Sequence, residues 1–155
     1  MLKESEIITI ALAASPVLEL RGAIPFAIAK GLSPLKSYFL SIIGNMLPVV
    51  PLYLFFNYLF HKLKDVPFLG NLLTRWFKVV ERKSKLISTY GIIGLILFVA
   101  IPFPTTGAWT GTFVANLLKF NILKTLLSIL LGIMIAGILV ELATQGVIKL
   151  WLLFN

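Results

Sequence analysis

Apolar positions run along almost the whole chain, and two long apolar stretches are broken in corresponding places. The first, IITIALAASPVLELRGAIPFAIAKG at residues 7–31, is interrupted at Ser15-Pro16 and at Glu19-x-Arg21-Gly22. The second, GIIGLILFVAIPFPTTGAWTGTFVANLLK at residues 91–119, is interrupted at Pro102-x-Pro104-Thr105-Thr106-Gly107. As a helix the first arm, residues 7–18, reaches only ~18 Å, against ~30 Å for the hydrocarbon core of a bilayer. Its partner arm, residues 23–30, is shorter, and the arms at about 90–101 and 108–118 are no better. A single crossing over 7–31 would also place Pro16, Gly22, Pro25 and two opposite charges inside the membrane. Each broken stretch therefore reads as a re-entrant helical hairpin with a non-helical tip, an arrangement tolerated where protein or a water-filled cavity covers the backbone.

Each hairpin is followed by a turn and a long apolar helix. Gly31-Leu32-Ser33-Pro34 leads into a helix from Lys36 to about Phe60, which Pro48 and Pro51 are expected to kink and which carries Asn45 inside it. Lys119-Phe120-Asn121 leads into a span over 122–142, with Lys124 near its start and Glu141 near its end. Thr144-Gln145-Gly146 is expected to interrupt that span and leave Val147–Phe154 as a short interfacial tail anchored by Trp151. Between the halves, residues 61–85 are basic: Lys62, Lys64, Arg75, Lys78, Arg82, Lys83 and Lys85. Leu72, Leu73, Trp76, Phe77 and Val80 share the opposite helical face, so this segment reads as an amphipathic helix lying in the interface against anionic lipid.

Composition fits this pattern. The chain has 155 residues, 59% hydrophobic and 13% charged, with a mean hydropathy of +0.99, against about 45–50% apolar and about 25% charged in soluble domains. The net charge of +8 reflects Lys and Arg gathered in cytoplasmic loops, and no aromatic–basic module for nucleic acid is present. Without cysteine there is neither a disulfide framework nor a thiolate metal site. Lys3, a short apolar run and Ala11-x-Ala13 superficially suit a leader peptide, but Glu4, Glu6 and Pro16 do not, and no cleavage is expected.

The halves match weakly but in order. Arg21-Gly22-Ala23 lies 85 residues before Thr106-Gly107-Ala108, and Lys36-Ser37 and Gly44-x-Met46 lie 88 residues before Lys124-Thr125 and Gly132-x-Met134. A three-residue indel in the turn reconciles the offsets. A hairpin crosses zero times and the helix after it once, so the halves have opposite orientation. The expected fold is an all-α integral membrane protein formed as one membrane domain over 1–155. It is an inverted repeat: repeat 1 at about 7–60, a cytoplasmic amphipathic linker at about 61–85 and repeat 2 at about 86–155. Counting Lys119 and Lys124 with the linker, nine basic residues fall inside, against Lys3, Lys30, Lys36 and Lys149 outside. Broken segments in corresponding positions of two inverted halves point to a transporter whose site lies where the tips meet.

Glu19 and Arg21 head the candidate site, because ionisable groups at membrane depth mark ion or substrate pathways. The bland reading is an ion pair that only holds the hairpin. Glu19 is the candidate proton carrier, since burial favours the neutral carboxyl. Arg21 keeps its charge and suits a phosphate or carboxylate. Gly22 and Pro25 shape the same arm. In the second tip, Pro102, Pro104, Thr105, Thr106, Gly107, Trp109 and Thr110 offer hydroxyls, a glycine turn and helix-start amides suited to an anion, or else an ordinary kink with back-bonded hydroxyls. Asn45, Asn116 and Glu141 are secondary candidates, and His61 reads as interfacial. No metal cluster, nucleophile triad or phosphate loop is present, so neither enzyme chemistry nor a cofactor is expected.

Glu19-Leu20-Arg21-Gly22-Ala23-Ile24-Pro25 and Pro102-Phe103-Pro104-x-Thr106-Gly107-Ala108-Trp109-Thr110-Gly111 resemble the paired signatures of the putative small multidrug export protein family, and the resemblance covers nearly the whole chain. It implies drug export. The architecture is similar to that of the DedA (VTT-domain) membrane proteins, which implies translocation of lipid phosphates and roles for Glu19 and Arg21. Where DedA-type proteins place arginines in the second half, this chain has Thr105, Thr106 and Trp109. The expected function is a small ion-coupled, proton-driven exporter of the cytoplasmic (inner) membrane of a prokaryote. It would move an amphipathic or phosphate-bearing compound among membrane lipids, as a homodimer because two crossings enclose little. The alternatives are a passive lipid scramblase and a non-transporting membrane scaffold.

Overall fold

A computed structural model describes residues 3–63, 90–101 and 106–154, and among them every regular element is a helix. The first is α1, Glu4–Ala14, followed after four residues by α2, Glu19–Ala29. Glu4 and Glu6 sit in the first turn of α1, where acidic side chains favour the helix dipole, and the Glu6 carboxylate accepts the Lys3 N–H at 3.2 Å. The chain breaks at Ser15–Leu18, at the first of the two expected interruptions and not at the second: the Ser15 hydroxyl donates to Leu12 O at 2.7 Å and accepts the Leu18 N–H at 3.3 Å. Glu19, Arg21 and Gly22 therefore stand in the first turn of α2 rather than in a non-helical tip. Pro25, which lacks the N–H for a helical bond, is accommodated inside α2.

The long helix of the first half is two pieces, α3, Pro34–Met46, and α4, Val49–Leu63. Pro34 suits the first turn of α3 because its missing N–H is unneeded there. Pro48 sets the break between the two, as expected from a residue that cannot donate to the preceding turn. In the second half α5, Ile92–Ala100, and α6, Ala108–Leu117, precede α7, Ile122–Phe154. The expected interruption of α7 at Thr144-Gln145-Gly146 is absent. The Thr144 hydroxyl bonds back to Val140 O at 2.7 Å and Gln145 donates to the Glu141 carboxylate at 3.2 Å, so both polar side chains are satisfied within a continuous helix. Among the described residues two stretches are apolar and long enough to cross a membrane, Pro34–Leu59 and Ile122–Trp151. Most of the interfacial amphipathic helix expected at 61–85 lies outside the described residues.

Helix α1 packs on α2 and α3, α5 packs on α6 and α7, and α3 meets α7. Small residues allow the close approaches that drive helix association in lipid. A Cβ on Gly44 would fall 2.5 Å from Ile10 O and 2.7 Å from the Ala13 side chain, and one on Gly132 would fall 2.6 Å from Val99 Cβ and 3.0 Å from Ile96 O. Tyr38 crosses from α3 to donate its hydroxyl to Met134 O at 3.0 Å.

The ends of α2 and α6 close alike. The Leu32 N–H reaches Ala27 O at 3.0 Å and the Phe120 N–H reaches Ala115 O at 2.9 Å. Gly31 and Lys119 both take positive φ, 81° and 57°. The next helices also start alike, Ser37 donating its hydroxyl to Ser33 O and Thr125 its hydroxyl to Asn121 O, each at 3.0 Å.

Burial is distributed as a membrane solvent requires. Leu20, Ile24, Leu95, Val99, Ile129 and Ile133 form the core. Ser37, Ser41, Asn45, Thr112, Thr125 and Ser128 are also buried, while Leu35, Phe39, Ile43, Leu54, Leu131 and Leu142 face outward. Such a surface is costly in water and at rest in lipid.

Candidate functional site

The break between α1 and α2 lies against the start of α6, and the contact is built from polar groups of both halves. Glu19 is 7% exposed and takes φ 48°, a conformation that side chains other than glycine rarely adopt. It is held there by what its carboxylate touches. Oε1 accepts the Trp109 backbone N–H at 3.4 Å, one of the unpaired donors of the first turn of α6. The carboxylate packs so closely over Gly107, itself at φ 155°, that any Cβ at that position would overlap it.

Arg21 makes the second link. Its Nη2 donates to Thr106 O and to Thr106 Oγ1, the latter at 3.1 Å. Thr106 in turn donates its hydroxyl to Ile101 O at 2.6 Å, so Arg21 is tied through one threonine to the end of α5. Arg21 also supplies the positive charge beside Glu19. The third link is Trp109, whose indole Nε1–H donates to Ala14 O at 3.2 Å, satisfying a carbonyl at the end of α1. Thr110, the next residue, donates its hydroxyl back to Gly107 O at 3.4 Å. A cleft of about 50 Å³ opens beside these groups, walled by Pro16, Glu19, Arg21, Thr106, Trp109 and Thr110 among others. It has room for water or an ion and not for a drug-sized molecule.

Of the residues singled out in the sequence, Glu19, Arg21, Thr106, Gly107, Trp109 and Thr110 come together here. Gly22 adjoins them, where a Cβ would press on Leu18 at 2.9 Å. Pro25 lies a turn away on α2, and Pro102, Pro104 and Thr105 lie outside the described residues. At the start of α6, where the sequence offers amides suited to an anion, the Glu19 carboxylate accepts the Trp109 N–H.

The secondary candidates lie apart from this contact. Asn116 donates its amide to Tyr53 O at 2.8 Å and ties α6 to α4. Glu141 accepts from Gln145 on α7. Asn45 is fully buried on α3, and neither polar atom of its side chain has a protein hydrogen-bond partner. Sequence reasoning missed the backbone acceptors Ala14 O and Ile101 O, which no residue type announces. Among the described residues no group of three His, Asp or Glu side chains converges as a metal site would require.

Paired tips carrying Glu19-x-Arg21-Gly22 and Thr106-Gly107-x-Trp109 lie within the reach of one family model, that of the putative small multi-drug export protein, which matches residues 19–139. The chain belongs to this family. Neither the curated proteins nor the solved structures yield a match to it. Membership and the two long apolar helices make this export-family chain a membrane protein.

Proposed function

We propose that this membrane protein is a proton-coupled secondary exporter, with Glu19 carrying the proton at the contact between two re-entrant hairpins. The observation that carries this reading is the seat of the Glu19 carboxylate on the Trp109 N–H beside Arg21. A buried carboxylate linking the two broken segments is where a transporter of this design places its coupling group. In the ionised state the carboxylate accepts a charge-assisted hydrogen bond and holds the start of α6. When protonated it loses that charge, the bond weakens and the tips can part. Arg21 keeps its charge throughout and attracts an anionic group of the substrate. The substrate is an amphipathic or phosphate-bearing compound and is moved without being chemically altered.

An inverted repeat is supported by pairs of equivalent contacts. Ala27 and Ala115, Ser33 and Asn121, Ser37 and Thr125, and Gly44 and Gly132 are each 88 residues apart and sit in the same local arrangement. Ile10 with Ala13 and Ile96 with Val99, the neighbours of those glycines, are 86 apart. In this register the length difference falls in the tips and not in the turn after α2. Glu19 then corresponds to Gly107 and Arg21 to Trp109, in place of the 85-residue match of the tip motifs. With one crossing per half, the basic segment 61–85 faces the cytoplasm and the protein resides in a prokaryotic inner membrane, as a homodimer.

The test is flux in proteoliposomes under an imposed pH gradient, screened with amphipathic phosphates and cationic drugs. Wild type is expected to move at least one of them in a gradient-dependent way, and Glu19→Gln is expected to abolish that dependence. Flux that ignores the gradient and tolerates Glu19→Gln would instead identify a passive scramblase. No flux of any compound, with tip substitutions tolerated, would identify a scaffold.

A further inference from the structure

A second cavity lies on the other side of Arg21. It is an open groove of about 550 Å³ between α2 and the C-terminal half of α7, within the range of sites that hold drug-sized ligands. Its α2 wall is Arg21, Pro25 and Ala29, one residue per turn on a single face, with Arg21 at the N-terminal end. Its α7 wall includes Ala143, Thr144 and Val147. The Thr144 hydroxyl is bonded back to Val140 O, so the wall it presents is essentially apolar. Arg21 is therefore the charged group of the groove, and the same side chain borders the tip cleft.

The other half shows that this space is not an inevitable gap in the packing. Helix α6 packs on α4 much as α2 packs on α7. In the 88-residue register Phe113 stands for Pro25 and Phe56 for Thr144. Those two phenylalanines meet edge to face, centroids 5.1 Å apart, and fill the corresponding place. In the first half small side chains leave the place open and an arginine stands at its end, where the other half has Trp109.

The geometry points to this groove as the binding site for a single-chain anionic amphiphile, its tail along α2 and α7 and its phosphate or carboxylate head at Arg21. The inference rests on the exporter reading and gives it a substrate class. The apolar walls reward burial of an alkyl chain in proportion to its area. The guanidinium selects an anionic head, since Arg matches the geometry of phosphate and carboxylate oxygens. A cationic amphiphile of the same length gains the tail term and loses the head term.

Equilibrium binding of radiolabelled dodecyl phosphate to the full chain in phosphatidylcholine nanodiscs tests this. Dodecyl phosphate is expected to bind saturably, at least tenfold more tightly than dodecyltrimethylammonium, and inorganic phosphate is expected not to compete. Ala143→Phe and, independently, Val147→Trp are exposed positions expected to tolerate the larger ring, and each is expected to weaken binding at least tenfold. Equal binding of the two amphiphiles, or unchanged binding in both filled variants, overturns the proposal. So does a disulfide-linked dimer of Val147→Cys that dodecyl phosphate does not suppress, since the groove is then a contact between copies. Gradient-driven flux without dodecyl phosphate binding removes the groove assignment alone. Binding without flux of any compound removes the exporter reading and keeps the site.

Discussion

The backbone N–H of Trp109 donates to the carboxylate of Glu19, 90 residues earlier in the chain. A carboxylate from one half thus completes the first turn of a helix in the other, and the fit leaves no space for a side chain at position 107. Gly107→Ala should therefore dislodge Glu19 while leaving its chemistry intact. Loss of a buried hydrogen bond to a charged group costs about 1.5–3 kcal/mol, and alanine at φ 155° adds strain. The expected outcome is a lower thermal midpoint in detergent and loss of gradient-dependent flux, as in Glu19→Gln. A variant with unchanged melting and unchanged flux would show that the seat on α6 is dispensable.

Thr106 is a relay between Arg21 and the end of α5, accepting from the guanidinium and donating to Ile101 O at 2.6 Å. Thr106→Val keeps the shape and removes both bonds of the hydroxyl, and a hydrogen bond of this kind typically contributes about 0.5–1.5 kcal/mol. Thr106→Ser retains the hydroxyl and should restore most of the lost stability. Thermal unfolding of the two variants side by side checks this. Equal destabilisation by both would point to the methyl group and not to the hydroxyl.

Glycines separate close packing from helix continuity. Gly132 has no room for a methyl group, its added Cβ falling 2.6 Å from Val99, so Gly132→Ala should push α5 from α7 and cost about 1–3 kcal/mol. Gly146 has nothing within 4 Å and lies inside the uninterrupted α7. Gly146→Ala should raise stability by about 0.5–1 kcal/mol, because alanine is the better helix former. Measured unfolding of the pair should move in opposite directions. A loss at Gly146 would mean that α7 bends there.

The break between α1 and α2 was legible in the sequence because it is written in a helix breaker and charges: Ser15-Pro16 among apolar neighbours, with Glu19 and Arg21 just after it. The kink at Pro48 was legible for the same reason. What Glu19 would touch was not, since a helix start looks like an open anion site until the tertiary fold delivers a carboxylate to it. The continuity of α7 was hidden because Thr144-Gln145-Gly146 has loop-like propensities, and only the bonds to Val140 O and Glu141 show that a helix accommodates them. The groove beside Arg21 was hidden more deeply. Ala29 and Ala143 carry no signal of their own, and the space they leave exists only once α2 and α7 are packed.

A pH dependence follows from the other end of the first hairpin. Lys36 Nζ lies 2.6 Å from Glu6 Oε1, joining the start of α3 to the start of α1, outside the tip contact. The hydrogen bond from Lys36 holds the Glu6 carboxyl below its usual value of 4.5, with the Lys3 backbone N–H and the charges of Lys36 and Lys3 acting in the same direction and burial opposing them. A carboxyl depressed in the folded state stabilises the fold fully above its unfolded value, and that contribution fades as the pH falls from about 4.5 through the folded value. Lys36→Met removes the main cause of the depression. It should lower the melting temperature at neutral pH and flatten the part of the acid-side decline that Glu6 contributes. Melting curves for wild type and variant between pH 7 and pH 3 are expected to converge at the acid end. Curves that stay parallel over that range would mean that Lys36 stabilises α3 by packing and not through Glu6.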